Sequence, residues 1–182
     1  EKILCFGSDL KNTITILPNN SCYVSGYIGA LENYDTYLRY EKKIENYHKI
    51  FNFEPEIVLF DAHPKYISSQ LAESIVHPEN EIQYHKIQHH KAHFAAILGE
   101  KNLWITKGKI LGVVWDGIGY GDDDQIWGGE FFEYQNKAMN RLGHLDYYPW
   151  VLGDKMSKNP KISALSISDS NPLFRNHFDD NE

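Results

Sequence analysis

The 182-residue chain is 42% hydrophobic and 14% aromatic, enough apolar material for a folded core and too much for a disordered segment. Its formal net charge of −7 speaks against nucleic-acid binding, which needs a basic surface. No apolar run approaches a membrane span and no secretory leader pattern opens the chain, so the expectation is a cytoplasmic protein without nucleic-acid or membrane partners. The chain opens at Glu1 rather than Met, as a piece of a longer protein would.

Lys2 to Phe6 is short and apolar and predicts a strand. Thr13 to Leu17 alternates with period two, Pro18-Asn19-Asn20 predicts a turn, and Ser21 to Ile28 predicts a third strand of the same meander. Cys5 and Cys22 fall inside these runs and are expected to be reduced core residues. A longer helix is predicted from Asn33, a suitable N-cap, to Phe51, because Tyr37, Tyr40, Ile44, Tyr47 and Phe51 recur at three to four residues. Ile57 to Phe60 is a continuous apolar run ending at Asp61, the pattern of a buried parallel strand. A short helix fits Ile67 to Ser74, and Ile82 to Ile87 predicts the next strand.

Gln88-His89-His90-Lys91-Ala92-His93 then opens a helix whose apolar run, Phe94 to Leu98, is expected to stop at Gly99. Side chains four apart share a helix face, so His89 and His93 point the same way and suit a metal, whereas His90 points about a quarter-turn aside. A helix start rich in histidine by chance is the competing reading, and it suits a lone histidine better than this pair. A zinc protease would place Glu beside the first histidine, where this chain has His90.

The strand–turn–strand opening repeats in the second half. Lys109 to Trp115 predicts a strand, Asp116-Gly117-Ile118-Gly119-Tyr120-Gly121 a glycine-bearing turn, Ile126 to Tyr134 a returning strand, and Arg141 to Tyr147 a possible third. The glycines suit close backbone approach to an anion, and Asp116 at a strand end suits a metal or a metal-bound phosphate. A hairpin with an acidic, solvated tip at Asp122-Asp123-Asp124 is the competing reading. Trp127-Gly128-Gly129-Glu130 extends the case for a ligand. In the first half, Lys11 and Thr13 occupy the equivalent turn as candidate phosphate contacts, and His63 after a strand end joins Lys11 as a catalytic candidate. Residues 151–182 are polar and weakly periodic, with only Leu165 to Ser168 hinting at an element. The expected division is 1–106 as a first lobe, 107–150 as the opening strands of a second, truncated one, and 151–182 as an irregular tail.

Several stretches together resemble a known family: Leu10-Lys11-Asn12-Thr13, Gly29 with Leu31-Glu32-Asn33, Asp61-x-His63-Pro64-x-Tyr66, Gln88-His89-His90-x-Ala92-His93, Asp116-Gly117-x-Gly119-Tyr120-Gly121, Ile126-Trp127-Gly128-Gly129-Glu130-Phe131 and Gly143-His144-Leu145. In this order they are similar to the C-terminal transferase domain of HypF-type carbamoyltransferases of hydrogenase maturation, relatives of the tRNA threonylcarbamoyl transferase and, more distantly, of actin, sugar kinases and the Hsp70 ATPase. The resemblance implies an α/β, actin-like (ribonuclease-H-like) fold of two lobes with nucleotide and metal between them. His89, His93 and Asp116 fall on its metal ligands, for an ion that is zinc, iron, magnesium or manganese. Gly117, Gly119, Gly121, Gly128, Gly129, Lys11 and Thr13 are its cofactor-binding candidates, and the cofactor is an ATP-derived carbamoyl-adenylate. The implied reaction passes the carbamoyl group to the C-terminal cysteine thiolate of a HypE-like maturation partner.

This chain departs from the family pattern at Tyr27, Ala30 and Lys91, and after Gly153-Asp154 the family's Glu-Pro-Trp-Arg stretch appears only as Asn159-Pro160-Lys161-Ile162. Two readings follow: a partial carbamoyltransferase domain, favoured by His89, His93 and Asp116, or a catalytically inactive homologue acting as a nucleotide- or metal-binding scaffold module, favoured by those departures. A sugar kinase or Hsp70-like ATPase would share the fold without explaining the histidine helix.

Overall fold

The computed structural model describes residues 1–76, 79, 81–151, 156 and 159–170, and its contacts divide the chain between His89 and His90 into two compact units. The first unit contains β1 (Ile3–Cys5), β2 (Thr15–Leu17), β3 (Tyr23–Val24), α1 (Tyr34–Phe51), β4 (Ile57–Asp61), α2 (Ile67–Ile75) and β5 (Gln83–Ile87), the element order predicted from the sequence. Its five strands form one mixed sheet in the order β3-β2-β1-β4-β5. β1 lies antiparallel to β2 and parallel to β4, with Leu4 opposite Ile16 on one side and Val58 on the other. Leu4, Ile16, Val58 and Phe60 from these strands pack with Tyr40 and Ile44 of α1.

Helix α1 starts where the sequence places its cap: the Asn33 side chain accepts from the Thr36 N–H at 3.1 Å. It ends at Asn52, whose left-handed backbone (φ 43) lets its N–H reach the His48 carbonyl. Thr36, Tyr40 and Ile44 form the buried stripe one helical turn apart. The Tyr40 hydroxyl donates to the Phe6 carbonyl at 2.9 Å, and its burial drives the phenol far above its ordinary range.

The loop after β1 joins distant parts of this unit. Asn12 Nδ2 donates to the Phe6 and Ser8 carbonyls, fixing the loop around Gly7, whose φ of +69 favours glycine. The Asp9 carboxylate accepts from the Ile67 N–H at 2.8 Å and from the N–H and hydroxyl of Ser68, each at 2.9 Å. It thereby caps α2 from 58 residues away, a pairing that local patterning does not reveal.

One expectation is corrected here. Cys22 is exposed rather than in the core, because it leads into β3, the edge strand of the sheet, whose own residues Tyr23 and Val24 are exposed too. Cys5 does lie in β1, half-buried, and burial raises its thiol to about 11. Both cysteines are free.

The division of the chain falls within the first turn of α3 (His89–Glu100). The second unit holds the rest of this helix, a 3-10 turn at Leu103–Ile105, β6 (Ile110–Tyr120), β7 (Ile126–Gln135), β8 (Ala138–His144) and α4 (Pro160–Ser170). The three strands form an antiparallel meander in chain order. Phe94 and Leu98 of α3 pack with Val114, Trp127, Phe132 and Tyr134 of that sheet. Gly112 allows the closest approach: a Cβ there would sit 2.6 Å from the Phe94 ring.

The second unit differs from the sequence reading in four places. Helix α3 runs past Gly99 to Glu100, because Asn102 rather than Gly99 takes the left-handed conformation (φ 52). Gly99 serves instead to admit the Trp104 indole, 3.4 Å from where its Cβ would stand. Asp116–Gly121 is not a turn. β6 continues as far as Tyr120 with a register shift between Trp115 and Gly119, and the turn comes at Asp122–Gln125. β8 starts at Ala138, three residues before Arg141. Asn136 and Lys137 both have positive φ, which closes a two-residue hairpin between Gln135 and Ala138.

The fourth difference is α4. Pro160, at the first helical position, starts it rather than breaks it, and Asn159 Oδ1 accepts from the Lys161 N–H at 3.1 Å. The remainder of the expected tail at 152–155, 157–158 and 171–182 lies outside the described residues. No helix among the described residues is long and apolar enough to cross a membrane.

Asp9→Ala strips three hydrogen bonds from the start of α2 and is expected to cost about 1–2 kcal/mol. The check is the urea unfolding midpoint, with Asp9→Asn losing less because one side-chain oxygen still accepts.

Candidate functional site

Helix α3 and strand β6 supply the groups that the sequence singles out for metal. The ligand atoms of His89, His93 and Asp116 lie within 4.8 Å of one another, close to twice a metal–ligand bond of about 2.1 Å. His93 Nε2 stands 2.8 Å from an Asp116 carboxylate oxygen. Helical pitch brings His89 to the same face as His93, and His89 Nδ1 contacts Asp61 Oδ2 of β4 at 3.0 Å. Asp61 is buried, and its other oxygen accepts the His63 N–H at 2.8 Å. Two imidazoles, one carboxylate and a second carboxylate behind a ring nitrogen form a donor set that fits a divalent ion.

His90 points elsewhere. It is fully buried, with its ring 6.2 Å from that of Trp127, and is a core residue of the second unit. Lys91 lies on another face again, where its ammonium pairs with Asp122 at 2.5 Å.

The remaining candidates separate. Lys11 is exposed in a left-handed backbone conformation (φ 52), and Thr13 is half-buried. His63 stacks on Tyr66 with ring centroids 4.2 Å apart, and its Nδ1 accepts from the Lys65 N–H. Burial lowers the His63 pKa against the opposing pull of Asp61 and Asp9, which favours the neutral ring.

Among the glycines, Gly121, Gly128 and Gly129 serve internal packing: a Cβ would meet the Trp127 ring at 2.1 Å, the Gly117 carbonyl at 2.7 Å and Leu145 at 2.6 Å, respectively. Gly119 pairs with Trp127 in the sheet. Gly117 differs, with φ +63 and open space where its Cβ would be. It borders a cavity of about 600 Å³ in the second unit that Gly128, Gly129, Glu130, Tyr147 and Trp150 also line, a volume suited to a small organic ligand. His93 and Asp116 line a second cavity of about 490 Å³, otherwise walled largely by apolar side chains such as Phe94 and Ile97.

Two family models match the chain: the HypF Kae1-like domain over residues 1–100, and the second subdomain of the carbamoyltransferase Kae1-like domain over residues 112–180. The chain belongs to the HypF carbamoyltransferase family. It is 34% identical to the carbamoyltransferase HypF of Synechocystis sp. over 92% of its own length and 21% of that protein's. It is 33% identical to the probable carbamoyltransferase HypF of Methanocaldococcus jannaschii, over the same shares of the two chains. A crystal structure of full-length HypF in a phosphate- and nucleotide-bound form superposes with a TM-score of 0.83 at 32% identity, covering 97% of this chain and 22% of that one. HypF of T. kodakarensis gives 0.80 at 31% identity, over 93% and 22%. The fold of this HypF-family chain is therefore the actin-like, Kae1-like one, and the chain spans about a fifth of the length of these relatives.

Sequence reasoning missed a polar network beside the larger cavity of this HypF-family chain. Arg141 stacks on Trp127, 3.8 Å from the ring centroid, and donates to Glu130 at 2.6 Å, Asp123 at 3.1 Å and the Tyr147 hydroxyl at 2.8 Å. Glu130 is fully buried and also accepts the Gly128 N–H at 3.2 Å. Asp123 is exposed, as the acidic-tip reading expects, but it is also tied into the network: Trp127 Nε1 donates to it at 2.6 Å and Tyr147 at 2.8 Å. These partners come from the β6–β7 turn, β7, β8 and the segment after β8, so no local spacing exposes them. The nearest signal was Glu130 at the end of Trp127-Gly128-Gly129-Glu130.

Burial pushes the Asp123 carboxyl up, but hydrogen bonds from Tyr147, Trp127 and the Gln125 N–H outweigh it and hold the group at about 2. The folded state then binds fewer protons than the unfolded one as pH falls below the ordinary value of 3.8. The stabilisation is fully present above that value and is lost as pH drops through about 2. Wild type is expected to lose its advantage over Asp123→Asn across this window in acid unfolding followed by circular dichroism. Arg141→Ala, which strands buried Glu130, is expected to cost about 3 kcal/mol or more at neutral pH.

Proposed function

We propose that this chain is part of a carbamoyl-transfer domain. It holds a divalent ion on His89, His93 and Asp116 beside a carbamoyl-adenylate and hands the carbamoyl group to the C-terminal cysteine of a HypE-like maturation partner. The observation that carries this reading is the convergence of those three donors in a member of the HypF family. In the transfer, the partner's thiolate sulfur attacks the carbamoyl carbon, the bond from that carbon to the phosphate oxygen breaks, and AMP leaves with the electron pair. When bound, the ion supplies positive charge to the phosphate. Zinc, iron, magnesium and manganese are all compatible with two nitrogens and one oxygen.

The chain's own groups divide the remaining work. Gly117, open above its positive φ, gives the adenylate access to the backbone beside the larger cavity. Lys11 offers a positive charge to a phosphate, and His63, whose Nδ1 accepts the Lys65 N–H and whose burial favours the neutral ring, presents an Nε2–H donor. The departures at Tyr27, Ala30 and Lys91 leave all three donors of the metal set in place.

Competition titration with zinc or cobalt tests the reading. His93→Ala is expected to abolish binding, whereas Lys91→Ala is expected to leave it nearly unchanged, since Lys91 pairs with Asp122 on another face. Equal loss in both variants, or none in His93→Ala, overturns the assignment.

A further inference from the structure

Asp61 lies outside the three-donor set, yet its two oxygens have separate duties. Oδ1 accepts the backbone N–H of His63 at 2.8 Å, and Oδ2 faces His89 Nδ1 at 3.0 Å. The side chain is buried, 7% exposed against 21% for His89, so water competes little for either oxygen. The backbone that carries the carboxylate is fixed as well: the Ser69 hydroxyl donates to the Asp61 carbonyl at 2.8 Å, and the Ala62 N–H donates to the Ile87 carbonyl at 2.9 Å. Asp61 itself pairs with Ile87 at the end of the β4–β5 ladder, immediately before Gln88 and His89. Backbone pairing thus fixes both the carboxylate and the start of the helix that carries the imidazole.

We infer that Asp61 is a positioning residue that locks His89 in the Nδ1–H tautomer, so that Nε2 carries the lone pair for a metal ion. The inference rests on the metal reading given above. An ionised carboxylate only accepts, so the nitrogen facing Oδ2 must carry the proton. The other ring nitrogen then has the only lone pair that can bind a cation. Free imidazole favours neither arrangement strongly enough to secure this, and the wrong tautomer would turn an N–H towards the ion.

The isosteric substitution Asp61→Asn makes a sharp test. The His63 N–H is a fixed donor and demands the amide oxygen. The amide NH₂ then faces His89 Nδ1 and donates to it, which moves the ring proton to Nε2. Imidazole ¹⁵N spectra of the metal-free 182-residue chain, recorded at a pH where the ring is neutral and assigned with His89→Gln, read this directly. Wild type is expected to show protonated Nδ1 and bare Nε2 at His89, and Asp61→Asn the reverse, with cobalt affinity about 10- to 100-fold weaker. Wild-type His89 protonated at Nε2, or an Asp61→Asn spectrum matching wild type, overturns the inference. If Asp61→Asn does not fold, the wild-type spectrum alone decides. Failure of wild type to bind cobalt while the tautomer inverts as expected would refute the metal reading and leave the positioning role standing.

Discussion

The rotational setting of one helix governs the candidate site. Along α3 each residue turns about 100°, so His89 and His93 lie within about 40° of each other, whereas His90, Phe94 and Leu98 occupy a different sector. The second sector is the buried one: His90 and Leu98 are fully enclosed, and Phe94 rests on the Gly112 backbone and against Phe132. Three buried side chains at that spacing leave little freedom to roll the helix. The core of the second unit therefore aims His93 at Asp116, although no core residue touches the carboxylate's chemistry. A helix held only by its polar face would have no such setting, because surface ion pairs such as Lys91 with Asp122 contribute little.

The glycines of β6, of β7 and of the connection between them show how one residue type serves two purposes. Four close approaches, at Gly112, Gly121, Gly128 and Gly129, admit an aromatic ring, a backbone carbonyl or a leucine where a side chain would collide. They are packing glycines. Gly117 alone among the candidate glycines combines positive φ with open space, and it sits where the β6–β7 register shifts. Such an irregularity re-aims the strand and exposes backbone that a regular ladder would consume. The strand immediately before it presents Asp116, so the bulge and the carboxylate follow each other in the chain.

Legibility in the sequence followed the range of the interaction. The helices and strands of the first unit were readable because Tyr40, Ile44 and the Ile57–Phe60 run express a period or a continuous apolar stretch, and Asn33 is a local cap. The pair His89 and His93 was readable for the same reason. The β6 glycines misled because dense glycine is the mark of a turn as well as of a bulged strand, and sequence alone does not distinguish them. The Asn136-Lys137 hairpin was missed because Lys replaces the glycine that usually signals a two-residue turn. Asp9 on α2, Asp61 on His89 and Arg141 on Glu130 were invisible for a common reason. Each joins side chains whose separation in the chain is set by the fold and not by any local periodicity.

The departures from the family pattern fall into two physical classes. Lys91 takes the place of a histidine, but about 160° round the helix from both His89 and His93, and its charge is absorbed by Asp122. A cation there is compatible with a nearby metal because the paired carboxylate offsets it. Tyr27 and Ala30 lie in the segment that pairs with the β1–β2 loop, where the Asn12 N–H donates to the Gly29 carbonyl at 3.0 Å and the Ile28 N–H to the Asn12 carbonyl at the same distance. Backbone bonds hold that pairing, so it survives a change of side chain at either neighbouring position. Tyr27 is exposed and Ala30 is small, and neither occupies the place of a donor in the His89, His93 and Asp116 set. The substitutions thus alter what the first unit presents at one loop while leaving intact the helix pitch, the buried Asp61 and the strand end that carry the candidate donors.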